Sequence, residues 1–309
     1  MTVALITHPA CLEHDTGPWH PECADRLRHV LRALEGEEFA LLLRETAPQA
    51  TEEQLTRVHP ADYVRAILAI RPEAGEHVPL DADTLMSAGS AEAALRAAGG
   101  AVMAVDAVMD GWAKRVFVAT RPPGHHAEPS RAMGFCFFAN AALAARHAQA
   151  AWGLRRVAVL DFDVHHGNGT QAVFERDPTL FYGSSHQYPC YPGTGSAGET
   201  GVDHNVVNAG LPPGSGSAAF RAAWEGRILP ALERFQPELL IVSAGFDAHK
   251  ADPLAQLRVE TADFAWLTEQ LLTVARRHCG GRLVSLLEGG YDLDALAASA
   301  AAHVRMMLA

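Results

Sequence analysis

The stretch Val157-Ala158-Val159-Leu160, followed by Asp161-Phe162-Asp163-Val164-His165-His166-Gly167-Asn168-Gly169, decides the fold. Four apolar residues in a row, two of them β-branched, stop abruptly at polar and glycine residues; this reads as a short strand buried on both faces. Runs of the same kind recur at Val3–Ile6, Val116–Ala119, Leu180–Tyr182, Leu239–Val242 and Leu283–Leu287. Longer amphipathic or alanine-rich stretches separate them and predict helices at Ala24–Leu34, Ser90–Met109, Asn140–Ala151, Ala218–Arg234, Thr261–His278 and Asp294–Leu308. Strands alternating with helices imply crossover units, hence a doubly wound α/β fold around a parallel sheet. The Gly/Pro-rich patches Tyr188–Gly201 and Gly210–Gly216 are too short for linkers and read as surface loops. One domain spanning residues 1–309 is therefore expected.

Composition narrows the function. Of 309 residues, 49% are hydrophobic and 20% charged, enough for a continuous core in a globular protein. The formal net charge of −11 argues against nucleic acid or an anionic membrane as main partner and suits cationic proteins or peptides. Five cysteines (Cys11, Cys23, Cys136, Cys190, Cys279) without CxxC spacing predict reduced thiols, not a disulfide framework. The opening residues Met1–Asp15 lack the basic flank of a signal peptide, and no apolar run approaches the ~20 residues of a membrane span. A cytoplasmic protein is the expectation.

The polar residues stand in unusual places. Open α/β sheets bind ligands beyond the carboxyl ends of their strands. Here five strand ends run directly into chemistry: Thr120-Arg-Pro-Pro-Gly-His125-His126, Asp161-Phe-Asp163-Val-His165-His166, Ser184-Ser185-His186, Ser243-Ala-Gly-Phe-Asp247 and Glu288-Gly289-Gly-Tyr291. Far apart in sequence, these segments converge on one edge of the sheet if the strands are parallel. On an extended tip, Asp161, Asp163 and His165 point the same way, so a carboxylate and an imidazole two residues apart can share one metal. Asp252, after another strand, offers the further oxygen that a catalytic zinc site with an open position needs. Two oxygens and one nitrogen also suit manganese or iron. Taken singly, each motif reads equally well as loop polarity and helix caps; several such clusters at strand ends make a metal site the better reading.

At this point the chain resembles the histone deacetylase family, including bacterial deacetylase-like and acetylpolyamine amidohydrolases, within the arginase–deacetylase fold. The resemblance runs from His20-Pro-Glu-Cys-Ala-Asp-Arg-Leu27 to Glu288-Gly-Gly-Tyr-Asp-Leu293 and is carried by Arg121-Pro-Pro-Gly-His-His-Ala127, Gly134-Phe-Cys-Phe-Phe-Ala-Asn140, Asp161–Gln171 and Tyr191-Pro-Gly-Thr-Gly195. It implies a three-layer αβα fold, an eight-stranded parallel sheet and one catalytic zinc on Asp163, His165 and Asp252. It further implies His126 as general base and then acid, oriented by Asn168, and His125 as electrostatic helper, oriented by Asp161. Asn168 stands where class I enzymes carry aspartate and matches the class II pattern. Tyr291 would donate to the oxyanion. Phe135 and Tyr191, with Gly134 and Gly289, would form the substrate tunnel, its rings burying four methylenes worth ~0.8 kcal/mol each. Asp161, Asp163, His165, Ser184 and Ser185 resemble a structural potassium site.

The implied activity is removal of acetyl or other acyl groups from lysine side chains of proteins or peptides, with acetylated polyamines as the alternative substrate. Within Pro253–Val259 there is no acid to attract a polyamine, and Arg258 would repel one if it faced the tunnel; Glu199 and Asp83 are candidate outer contacts. An arginase-like ureohydrolase would need additional Asp/His ligands for a second metal. A catalytically silent acyl-lysine-binding module would be expected to lack part of the catalytic set, which is complete here.

Overall fold

The computed structural model describes residues 2–309. Its strands are β1 (Val3–Thr7), β2 (Leu43–Thr46), β3 (Val78–Pro79), β4 (Leu85–Met86), β5 (Arg115–Val118), β6 (Val157–Asp161), β7 (Leu180–Gln187), β8 (Val206–Leu211), β9 (Leu239–Ala244) and β10 (Leu283–Leu287). The helices are α1 (Ala24–Ala33), α2 (Glu52–Leu55), α3 (Ala61–Ala69), α4 (Ser90–Asp110), α5 (Asn140–Trp152), α6 (Asn168–Phe174), α7 (Ser217–Ala223), α8 (Leu229–Phe235), α9 (Thr261–His278) and α10 (Leu293–Leu308). Strands β3 and β4 form a separate antiparallel ribbon; the other eight make one sheet, in the order β2-β1-β5-β10-β9-β6-β7-β8, with every pair parallel.

Strand side chains alternate between two helical layers. Val3, Leu5, Phe117, Leu160, Leu240 and Val242 join one core with residues of α1, α8, α9 and α10. Their neighbours Ala4, Ile6, Val116, Val118, Val159 and Ile241 face the alanine-rich α4 and α5. The sheet is thus the middle of three layers, and the continuous apolar runs follow from burial on both faces. All five cysteines are free thiols. Among the described residues no helix is long and apolar enough to cross a membrane.

The sequence reading lacked the short β3–β4 ribbon and helices α2, α3 and α6, and three further departures have a clear physical reason. Both edge strands, β2 and β8, were not expected: Leu43–Thr46 is exposed throughout, and Val206–Leu211 is interrupted by Asn208 and Gly210, so neither shows a run of buried residues. The helix expected over Ala218–Arg234 is divided by a π-turn at Trp224–Ile228, with Pro230 in the first turn of α8. The turn packs Trp224 inside the protein, where its indole N–H donates to Ser185 Oγ at 3.0 Å.

A buried ion network fixes the N-terminal segment to the sheet edge. Arg121 grips Glu22 with two hydrogen bonds (2.5 and 2.7 Å), and Arg26 adds a third at 2.9 Å. Arg26 also donates to the carbonyls of Glu288 (2.5 Å) and Gly290 (2.6 Å), while Arg121 donates to those of Cys11 (3.0 Å) and His14 (3.2 Å). Burial alone would raise the Glu22 carboxyl, but the Arg121 and Arg26 guanidiniums hold it down at about 2. Burial likewise holds His14 and His59 at about 4, so both fold as neutral rings.

The linkage has a definite sign. Neutral buried histidines contribute fully above about pH 6.5 and lose that contribution as pH falls toward their folded values near 4. Glu22 then adds a further loss between its ordinary 4.5 and about 2. Between about pH 7 and 4.5 the raised carboxyls of Asp247 and Glu288 work the other way, so thermal melts should show their clear fall in Tm below about pH 4.5. Glu22→Gln, which leaves two buried guanidiniums short of an anion, should cost about 3–5 kcal/mol in urea denaturation at neutral pH.

Candidate active site

The sheet order places the C-terminal ends of β5, β10, β9, β6 and β7 side by side. Register aligns Asp161 with Ser243 on one neighbour and with Ser184 on the other. The strand ends and the loops that leave them carry the polar residues, nearly all buried; Ser184–His186, expected beyond a strand end, lie within β7.

Beyond β5, the backbone N–H groups of Gly124 and His125 donate to Glu288 Oε2 at 2.7 and 3.1 Å, which fixes the loop carrying the paired histidines. His125 Nδ1 lies 3.0 Å from Asp161 Oδ2, and His126 Nδ1 lies 2.8 Å from Asn168 Oδ1. Tyr182 OH donates to the same Asp161 oxygen at 3.0 Å. Burial works against a charge on His125, yet the Asp163 and Asp161 carboxylates outweigh it and lift the ring to about 10. His126 goes the other way: burial first, then the positive charges of His125 and His165, push it well below its ordinary value. One ring is thus held as a cation and its neighbour as a neutral base, with centroids 4.0 Å apart.

Asp163, His165 and Asp247 bring one donor atom each within 4.8 Å of one another. His165 Nδ1 stands 3.2 Å from both Asp163 Oδ1 and Asp247 Oδ2. Asp163 Oδ2 accepts the N–H of Gly289 at 2.8 Å, and Asp247 Oδ1 that of Val164 at 2.8 Å. Asp252 stands outside this group; its oxygens accept the N–H groups of Leu254 (3.0 Å) and Tyr291 (2.7 Å). It nevertheless belongs to the same electrostatic site, raising the carboxyl of Asp247 and itself feeling the charge of His165. Asp247 was given no role from the sequence, although its position directly after β9 marked it.

The donor set suits a cation. Burial, with Asp163 beside it, pushes Asp247 up to about 7; burial, with Asp161 and Asp163 nearby, does the same to Glu288 against the pull of His125. Carboxyls that would hold protons near neutrality report negative charge awaiting a counter-ion. A cation held by Asp163, His165 and Asp247 would supply it.

Above the cluster opens a cavity of about 230 Å³, lined by Asp83, His126, Gly134, Phe135, His165, Tyr191, Leu254 and Tyr291. Phe135 and Tyr291 meet edge to face at 6.0 Å, and Tyr191 meets the ring of His126 at 5.1 Å. Arg26 stacks its guanidinium 4.8 Å from the Tyr291 ring centre, and burial keeps the Tyr291 hydroxyl protonated. Gly134 has φ +55°, a backbone open to glycine, and presses against His126 where a side chain would collide. Of the proposed outer contacts, Asp83 lines the cavity, whereas Glu199 is turned away to Gln171 (2.7 Å). Arg258 is exposed and absent from the lining, so it gives no argument against a polyamine. Ser184 and Ser185 sit beside Asp161, but their hydroxyls bond His186 (2.8 Å) and Trp224 (3.0 Å).

A three-layer α/β domain with paired histidines and a carboxylate–imidazole cluster at the sheet's carboxyl edge is a recognisable class of hydrolase scaffold. The histone deacetylase domain family matches residues 20–307. The chain is 45% identical to the histone deacetylase-like amidohydrolase of Pseudomonas aeruginosa over 291 residues, covering 93% of this chain and 75% of that protein. It is 40% identical to the chloroplastic histone deacetylase 14 of Arabidopsis thaliana over 308 residues, covering 94% and 73%. Its fold superposes on the HDA15 HD domain with a TM-score of 0.90 at 35% identity, covering 99% of this chain and 88% of the other. The chain belongs to the histone deacetylase family and is a hydrolase of the deacetylase type.

Close approach makes Gly289 a sensitive probe of this site. A Cβ there would enter the carboxylates of Asp247 and Asp163. Gly289→Ala is expected to lower stability by about 1–3 kcal/mol through overpacking and to reduce bound metal below that of the wild type. Urea midpoints and elemental analysis of the purified protein measure both.

Proposed function

We propose that the protein is a zinc-dependent deacylase acting on acyl-lysine side chains of proteins or peptides, within a single catalytic domain over residues 1–309. The observation that carries this reading is the pairing of a cationic and a neutral histidine beside a carboxylate–imidazole cluster, with His126 and His165 of that group lining one aromatic-walled cavity. The relatives' names, a histone deacetylase and a histone deacetylase-like amidohydrolase, support removal of an acetyl group from an amide.

In this reading Asp163, His165 and Asp252 hold the zinc. Asp252 is favoured over Asp247 because a catalytic ion keeps an open position toward its substrate. Asp252 is 8% exposed, as is His165, and is held by the N–H groups of two cavity residues, Leu254 and Tyr291. When bound, zinc supplies Lewis-acid chemistry, polarising an acyl oxygen and bringing a water's pKa from 15.7 toward ~7.

The chain's own groups do the rest. His126, neutral, takes the proton of the attacking water and returns it to the leaving amine. His125, held as a cation by Asp161, stabilises the negative charge that develops. Tyr291 donates a hydrogen bond to the oxygen of the tetrahedral carbon and keeps its proton. Phe135 and Tyr191, with Gly134 and Gly289 giving the loops their close approach, enclose the apolar stem of the substrate. Asp83 at the cavity accepts an N–H or ammonium of the incoming chain, which leaves acetylpolyamines as the second substrate class. A potassium ion beneath the zinc, near Asp161, Asp163, His165, Ser184 and Ser185, completes the reading.

Turnover of acyl-lysine peptides and acetylpolyamines, measured side by side, tests the substrate class; faster turnover of every polyamine would overturn the lysine assignment. Tyr291→Phe should lower kcat by ~10²–10³ with metal retained. Elemental analysis should find one zinc per chain. Asp252→Asn should abolish that stoichiometry, whereas Asp247→Asn, which alters a neighbour of the ligands, should weaken affinity about 10–100-fold. The reverse ranking would assign the third ligand to Asp247.

A further inference from the structure

An asparagine partner poses a problem for a histidine base that an aspartate does not. A carboxylate can only accept, so it holds the facing imidazole nitrogen as N–H in either orientation. An amide presents a carbonyl on one side and an NH₂ on the other, and a half-turn of the amide exchanges them. If Asn168 turned its NH₂ to His126, Nδ1 would become the acceptor and the proton would sit on Nε2, the nitrogen not engaged by Asn168. That tautomer cannot take a proton from water.

The structure contains a device that decides between the two. Asn168 Nδ2 donates to Glu128 Oε1 at 2.8 Å and approaches Met133 Sδ at 3.3 Å, while Asn168 Oδ1 stands 2.8 Å from His126 Nδ1. Both atoms facing the NH₂ are acceptors, one of them a carboxylate. A flipped amide would set its carbonyl oxygen against both, inside a site where Asn168 is only 6% exposed. Glu128 itself is held in place by a tight turn, its N–H donating to Arg131 O at 3.0 Å and Arg131 N–H returning to Glu128 O at 3.3 Å. Glu128 lines a second cavity beside Asn168, apart from the one lined by Tyr291.

We infer that Glu128 is a positioning residue for the deacylation: it locks the Asn168 amide with its carbonyl toward His126 and so fixes the Nδ1–H tautomer, leaving the Nε2 lone pair for catalysis. Glu128 touches neither substrate nor metal; it acts through Asn168. The inference rests on His126 being the proton acceptor, as proposed above, but its structural half, the tautomer, stands independently of turnover.

The test compares the zinc-loaded wild type with Glu128→Leu, Glu128→Ala and the double variant Asn168→Asp/Glu128→Leu, because leucine and alanine offer the Asn168 amide no acceptor. Nitrogen-15 NMR of histidine-labelled protein, at a pH where the ring is neutral, reports which nitrogen of His126 carries hydrogen. The wild type should show hydrogen on Nδ1. Both Glu128 variants should move it wholly or partly to Nε2 and lower kcat by at least about tenfold, toward the ~10⁴ that a wrong tautomer costs in a serine-protease triad, with KM and zinc content unchanged. The double variant should restore Nδ1–H, because an aspartate at 168 accepts whichever way it turns. If the Glu128 variants keep the wild-type signature, the inference is overturned, whatever happens to the rate. It is equally overturned if the signature shifts and the double variant fails to restore it, since the shift then comes from repacking. A wild type that shows the Nδ1–H signature but hydrolyses no acyl amine would refute the proposed function and leave the positioning role intact.

Discussion

The structure is organised around an excess of buried negative charge. Asp161, Asp163, Asp247, Asp252 and Glu288 all lie out of water at the carboxyl edge of one sheet. Isolated carboxylates in such surroundings are very costly, and they persist only when cations and N–H groups surround them. Here the surroundings are specific: an imidazolium at His125, the His165 ring, and the backbone N–H groups of Gly124, His125, Val164, Gly289 and Tyr291. Even so, Asp247 and Glu288 titrate near 7, which leaves room for one more positive charge among them.

Support for this arrangement reaches outward through Glu22. One buried carboxylate there satisfies two guanidiniums, and Arg26 hands that order on to the carbonyls of Glu288 and Gly290 and to the face of Tyr291. The loop bearing Tyr291 is therefore held from below by the N-terminal segment and from the side by Asp252. A phenol placed this way needs little reorganisation to meet a developing oxyanion, the condition under which such donors contribute most.

The two histidines illustrate how identical side chains acquire opposite character. A carboxylate partner makes His125 a cation, and that cation then helps keep His126 neutral. The neutral ring faces a neutral amide, so its proton placement falls to the next residue in the chain of contacts, Glu128.

The sequence by itself determined the class of fold and six of the eight strands of its main sheet, because burial on both faces of a parallel sheet leaves continuous apolar runs. It also marked the polar strand ends and, through motif resemblance, the histidines and the tyrosine. Tertiary structure alone decided the edge strands, whose exposed or interrupted residues carry no such run, and the π-turn that seats Trp224 against Ser185. It alone brought Asp247 against His165, set Arg258 away from the cavity, and joined Glu128 to Asn168 across 40 residues. Those facts depend on how loops from different strands meet in space, and side-chain periodicity along one segment carries no record of which segment will face it.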